Sequence, residues 1–190
     1  DPFFNLAPWV LIFLIPALSM RMITDEYQSG TLEILGTKPL SRIQIIAGKY
    51  FAVLSILLLV LVFTLSYVWT LHALIDTSLD YGAIAGCYFG LFLLGAVFAA
   101  ISVCCSSFTS NAIVAFLLSA FACLLIYFGC SNISKLPLFT GGADYYIDMF
   151  GIDFHYRSIS RGVIDSRDIF YFLSLIFLFL FIGSQNIKKK

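Results

Sequence analysis

The sequence predicts an all-α protein, a polytopic bundle of transmembrane helices. Three observations predict it. Hydrophobic residues fill 61% of the 190 positions and charged residues only 12%, about half the charged share of a soluble domain. Five apolar runs approach the roughly 20 residues that a spanning helix needs. Lys and Arg gather in some of the connecting segments and are missing from others, which is how membrane orientation is written into a sequence. The net charge of +0 carries no basic signature for nucleic acid. Cys87, Cys104, Cys105, Cys123 and Cys130 lie in or at the edges of apolar runs. Their odd number and lack of loop spacing argue against a disulfide framework or zinc site, and they read as small buried hydrophobes.

The predicted spans are 3–20, 51–71, 83–103, 112–130 and 169–187, in a single transmembrane domain covering 1–190. The first contains Pro8 and Pro16, which shorten it as a helix. The segment after it carries Arg21, Lys38, Arg42 and Lys49, the segment His72 to Gly82 carries no Lys or Arg, and the chain ends Lys188-Lys189-Lys190. The positive-inside rule therefore places 21–50, the short link 104–111 and the tail on the cytoplasmic side. The loop 131–168 then lies outside, although its Lys135, Arg157, Arg161 and Arg167 sit among five aspartates. Five crossings put Asp1 outside as well, so a further upstream span is expected, six in the full protein.

The polar stretch Thr24 to Tyr50 organises the first half. At 100° per residue, Met20, Ile23, Tyr27, Thr31 and Ile34 share one face, and Asp25, Glu26, Ser29 and Glu33 share the opposite one, the pattern of an amphipathic helix along the inner membrane surface. Gly30 is placed to kink it and Gly36 to end it. Pro39 breaks the helix at Lys38. Ser41 and Gln44 form a capping box, and Leu40 and Ile45 a hydrophobic staple, starting a helix that runs through Lys49 into the second span. The expected geometry is helix, elbow, then a helix continuous with a span. Two readings stand open: an ordinary interfacial anchor, or a docking surface for a protein. The acidic face favours a protein partner, because anionic lipid attracts bases.

Span three opens Gly82-x-x-x-Gly86-x-x-x-Gly90, with Gly95 following. Glycines four apart admit a close neighbour, either a second subunit or a helix of the same chain. The link CCSSFTSN makes spans three and four a tight hairpin, with Ser110 or Asn111 as the cap. In the outer loop, Tyr145, Met149, Ile152, Tyr156, Ile159 and Val163 recur at steps of three and four, opposite Asp148, His155 and Ser158. This predicts a second amphipathic helix, on the outer surface, with Asp153, Arg157 and Arg161 spaced to pair and Gly162 ending it. Asp165 and Asp168 resemble a capping start for the last span. Asp148, Asp153 and His155 make only a weak metal pattern.

No catalytic constellation is found. The GxxxxGK[ST] loop, HExxH and GxSxG are all missing, so no catalytic, cofactor-binding or metal residue is assigned. The spans carry essentially no charge, which argues against a proton- or sodium-driven pump. Any energy source has to be another subunit.

MRMITDEYQSGTLEILGTKPLSRIQIIAGKY resembles the inner-surface segment of ABC-2 type transporter permeases. The shared pattern falls on Glu26, Gly30, Thr31, Glu33, Pro39, Leu40, Ser41 and Lys49. HYRSISRGVIDSRDIFYFLS, from His155 to Ser174, is similar to the segment before the last span in that family. The combination most resembles the permease subunit of gliding-motility ABC transporters (GldF-like), and nitrous-oxide-reductase maturation permeases share much of it. The resemblance implies a non-catalytic permease subunit in a bacterial inner membrane, paired with a second permease and with a cytoplasmic ABC ATPase that holds the ATP and magnesium. It assigns Glu26, Gly30, Thr31, Glu33, Pro39, Ser41 and Lys49 to ATPase docking and coupling, with Pro39 and Ser41 at the elbow. Gly82, Gly86 and Gly90 are the helix-packing or dimer positions. A non-transporting anchor of a motility complex is the alternative. An intramembrane enzyme or channel would need polar groups converging within the spans.

Overall fold

The computed structural model describes residues 2–31, 41–74, 80–135, 145, 148–162 and 165–186. Among them are seven bounded α-helices, further helical residues at Thr31, Tyr145, Asp148 and Met149, and no strand. The seven are α1 (Pro2–Ser19), α2 (Arg21–Ser29), α3 (Arg42–Leu74), α4 (Tyr81–Ser106), α5 (Ala112–Ser134), α6 (Ile152–Ile159) and α7 (Ser166–Asn186). Five helical stretches are long and apolar enough to cross a membrane. In lipid every backbone polar group has to be satisfied within the protein, and helices do that.

The bundle is built around α4, which packs against all six of the other helices. Nearly every residue from Gly86 onward is buried. Its sequence explains the position. Gly86, Gly90, Gly95, Ala96, Ala99, Ala100 and Ser102 leave little side-chain bulk, so neighbours approach closely, which is the main source of helix association where lipid is as apolar as the core. A Cβ on Gly95 would lie 2.5 Å from Leu57 Cδ2 and 3.4 Å from Ile15 Cδ1. That glycine is where α1, α3 and α4 meet.

The outer helices present one face to α4. On α3 the buried positions are Ile46, Tyr50, Val53, Leu57 and Leu61, steps of three and four, while Phe51, Leu58, Leu59, Val62 and Phe63 point away. On α5 the buried ridge is Ala115, Ser119, Cys123, Tyr127 and Ser131, an unbroken step of four. Helix α1 runs through Pro8 and Pro16 without a break. The prolines remove backbone donors but do not shorten the helix, which packs against α4 and α5.

Caps set the starts. Asp80 Oδ1 accepts from the amides of Gly82 and Ala83 at 3.0 and 3.1 Å. Asn111 Oδ1 accepts from Ile113 N at 3.0 Å, so Asn111 is the cap of α5. Asp165 Oδ1 accepts from Arg167 N at 3.1 Å.

Residues 148–162 differ from the surface helix expected there. Helix is present at Tyr145, Asp148 and Met149 and again over Ile152–Ile159, with a turn between in which Gly151 N donates to Asp148 O at 2.8 Å. Ile152, Asp153, His155, Tyr156 and Ile159 are all buried, so α6 is sunk into the end of the bundle against α4, α5 and α7. His155 does not lie on a solvent face. Partners from elsewhere override the periodicity: Nδ1 lies 2.7 Å from Asp168 Oδ1, Nε2 lies 2.9 Å from Met149 O, and the Tyr171 ring stacks on it at 4.0 Å. Asp168 turns to His155 and makes no reciprocal cap with Asp165. Asp153 pairs with Arg157 at 2.5 Å, and Gly162, at φ +83°, takes the left-handed turn that follows the helix. Val163 lies outside the described residues.

Candidate coupling site

The polar stretch assembles at one end of the bundle. Its first element is a continuation of α1. Met20 keeps right-handed helical backbone and its amide donates to Pro16 O at 2.9 Å. The buried hydroxyls of Ser19 and Thr24 return their protons to the carbonyls of Ile15 and Met20, at 3.0 and 2.7 Å, so neither is orphaned in an apolar setting. On α2, Ile23 and Thr24 face inward, while Arg21, Asp25, Gln28 and Ser29 are exposed. Gly30 closes the helix at φ +69°, a left-handed cap that glycine adopts without strain. Helix α2 thus ends at Ser29. Gly36 lies outside the described residues.

The second element is the start of α3. Ser41 N donates to Gln44 Oε1 at 2.8 Å, and Gln44 N donates to Ser41 Oγ at 3.3 Å. This is the reciprocal box that the spacing predicts. Leu40, the staple partner of Ile45, lies outside the described residues. From Arg42 the helix runs to Leu74 with no interruption, about 50 Å at the helical rise.

Lys49 joins the two elements. Its Nζ donates to Met22 O at 2.6 Å and forms an ion pair with Glu26 Oε1. Met22 and Glu26 are one helical turn apart, so a single ammonium grips one face of α2. The two side chains are 19% and 23% exposed, and Glu26 Oε2 is buried with no hydrogen-bond partner among the described residues.

The link between α4 and α5 and the end of α7 complete this end. Gln28 Nε2 donates to Ser110 O at 2.8 Å, and Asn186 Nδ2 to Ser107 O at 2.7 Å. A Cβ on Gly183 would lie 3.1 Å from Ile46 Cδ1 and 3.3 Å from Cys104 Cα. Helices α3, α4 and α7 therefore touch where α3 begins. Arg21–Thr31, the link 107–111 and the end of α7 therefore meet at one end of the bundle, while the Lys188–Lys190 tail lies outside the described residues.

The family model described as ABC-2 family transporter protein matches residues 4–143. The chain belongs to the ABC-2 transporter family. No curated protein sequence matches it. As an ABC-2 family chain with five apolar helices, it is a multi-pass membrane protein and a permease subunit of an ABC transporter. In this family the ATPase is normally a separate subunit.

The residues singled out in the sequence of this ABC-2 permease fall into two groups. Glu26 and Lys49 are brought together. Gly30 ends α2, Thr31 Oγ1 lies 2.8 Å from Ser29 Oγ, and Ser41 caps α3. Glu33 and Pro39 lie outside the described residues. The three glycines stand at the other end of α4, about 25 Å or more away along its axis. A Cβ on Gly86 would lie 3.2 Å from Gly162 Cα, and one on Gly90 would lie 2.8 Å from Ile159 Cγ2. Both face α6 and its turn in the same chain. Among the described residues, a Cβ on Gly82 would meet its own cap, Asp80, at 3.3 Å.

Sequence reasoning missed Asp80, Gln28, Gly183, Asn186 and the His155–Asp168 pair. Asp80 was findable, since it precedes an apolar run as Asn111 does. The hydrogen-bonded ones pair over spacings of 13 to 82 residues, and Gly183 meets Ile46 and Cys104 from distant elements of the chain, for which local patterning has no signal. Asp148 Oδ1 and Asp153 Oδ2 both approach Ser131 Oγ, at 2.9 and 3.0 Å, while His155 turns to Asp168. Among the described residues no group of three or more His, Cys, Asp or Glu could hold a metal ion.

Proposed function

We propose that this chain is the permease subunit of an ATP-driven exporter related to the gliding-motility type. It lies in a bacterial inner membrane, pairs with a second permease, and receives the movements of a cytoplasmic ABC ATPase through residues 24–50. One observation carries the reading. Helix α3 is a single rod from the capping box at Ser41 to Leu74, and its buried stripe rests on the central helix α4. A displacement delivered at Ser41 is carried stiffly along a helix to the middle of the bundle. The gliding-motility assignment rests on the two resembling stretches around Glu26 to Lys49 and His155 to Ser174.

In this reading the end bearing α2 faces the cytoplasm. Exposed Asp25 together with Thr31 and Glu33 supplies the docking surface, Pro39 and Ser41 form the elbow, and ATP and magnesium are held by the ATPase. The test is co-purification, in mild detergent, of the full-length protein with the ATPase encoded beside it. Wild type forms a stable complex, and Asp25→Lys/Glu33→Lys loses it while still inserting into membranes. An undiminished complex in that variant overturns the docking surface, and no complex with wild type overturns the permease reading. ATP-dependent flux in reconstituted vesicles separates transport from anchoring.

A further inference from the structure

Lys49 stands seven residues into α3, about 10 Å along its axis and next to the apolar run that starts at Phe51. An ammonium at that position is costly unless paired. Its partners come from α2: the Met22 carbonyl at 2.6 Å and the Glu26 carboxylate. They lie 27 and 23 residues away in sequence, so the contact bypasses everything between the two helices.

The geometry points to Glu26 and Lys49 as an internal latch, a positioning pair that makes α2 and α3 move as one body, and not as a surface for the ATPase. The inference rests on the permease reading. Three features carry it. Glu26 spends Oε1 on Lys49, and Oε2 is buried, so neither oxygen is presented to an incoming cation. Lys49 grips both a backbone and a side-chain acceptor one turn apart, which fixes the rotation of α2 as well as its distance. Beside Lys49, Ile46 and Tyr50 are buried, and Ile46 reaches Gly183 of α7. A pull on α2 is thereby conveyed through Lys49 to the part of α3 that touches the core. The exposed side of α2, with Asp25 and Ser29, remains for a partner.

The test uses the full-length protein in lipid nanodiscs, alone and with its ATPase, and reads amide hydrogen exchange over Arg21–Ser29. In the protein alone, Glu26→Lys and Lys49→Glu each raise exchange in α2 about tenfold, and the charge swap Glu26→Lys/Lys49→Glu recovers more than half of the lost protection. A docking role predicts otherwise: unchanged α2 exchange in the protein alone, loss of the complex in Glu26→Lys, and no recovery in the swap. Either unchanged exchange in the single variants or no recovery in the swap overturns the latch. Should the single variants fail to fold, Glu26→Gln/Lys49→Met decides, because replacing both charges together is far less disruptive than stranding one. Its α2 exchange rises while its unfolding midpoint stays near wild type, and wild-type exchange in it overturns the proposal. With ATPase bound, nucleotide alters exchange in α3 around Val53–Leu61 in wild type and in the swap, and not in the single variants. If no ATPase binds wild type, the permease reading fails, and the measurements on the protein alone still judge the latch.

Discussion

His155 Nδ1 and Asp168 Oδ1 meet at 2.7 Å, with both side chains almost fully buried, at 3% and 6% exposed. Nε2 faces the Met149 carbonyl, which only accepts, so Nε2 carries a proton. This pair fastens α6 to α7 across 13 residues of chain. Removing one member strands the other, at a cost of about 1–3 kcal/mol. His155→Leu and Asp168→Leu each lower the unfolding midpoint in detergent, and the double variant loses less than the sum of the two. Strict additivity would show that the pair contributes nothing beyond its members.

Gly90 holds α6 against α4 by having no side chain. Its Cβ position collides with Ile159, which is fully buried and β-branched. Gly90→Ala is expected to destabilise by about 1–3 kcal/mol through overpacking. Gly129, with nothing within 4 Å of its Cβ position, is the control, and Gly129→Ala is expected to stabilise by up to about 1 kcal/mol. Thermal unfolding of both variants in one detergent checks the contrast.

The Ser41–Gln44 box determines where the α3 rod begins. Ser41→Ala costs about 1 kcal/mol and frays the first turn. Hydrogen exchange at Ile43 to Ile45 reads this directly, rising in Ser41→Ala and staying level beyond Val53.

Tyr156 donates its hydroxyl to Phe4 O at 2.8 Å, linking α6 to the start of α1. Burial raises its phenol above the ordinary tyrosine value, with further raising from Cys87 and Asp153. A group raised in the folded state gives stability that is complete below the unfolded value, about pH 10, and is lost as pH climbs through the folded one. Wild type therefore loosens above about pH 10. Tyr156→Phe loses about 1 kcal/mol at neutral pH and shows a flatter alkaline decline, seen as unfolding midpoints compared between pH 8 and 11.

Much of the fold is legible along the chain because its causes are local. An apolar run of about 20 residues is a span wherever it lies, and Ser41 with Gln44 or Asn111 before Ile113 caps a helix using atoms two or three residues away. The candidate site is legible only in part. Its residue types stand together between Thr24 and Tyr50, and Gly30 announces its own turn. That Glu26 is taken by Lys49 is not readable, because a helical wheel assigns a face and not a partner. The same limit applied to His155, which periodicity puts on the outer face and Asp168 draws inward.

By itself the sequence determined the class of the protein, its five apolar helices, the caps at Ser41 and Asn111, and the ABC-2 pattern from Glu26 to Lys49. All of these follow from composition and from contacts within a turn or two. Only the tertiary structure decided which helix is central, which face of α3 is buried, that α6 and the turn after it pack on Gly90 and Gly86, and that Lys49 closes on α2. In a membrane, apolar surface is equally at home against lipid and against protein. Which surfaces meet is therefore decided by shape and by polar groups finding partners far along the chain, and neither is written in hydropathy.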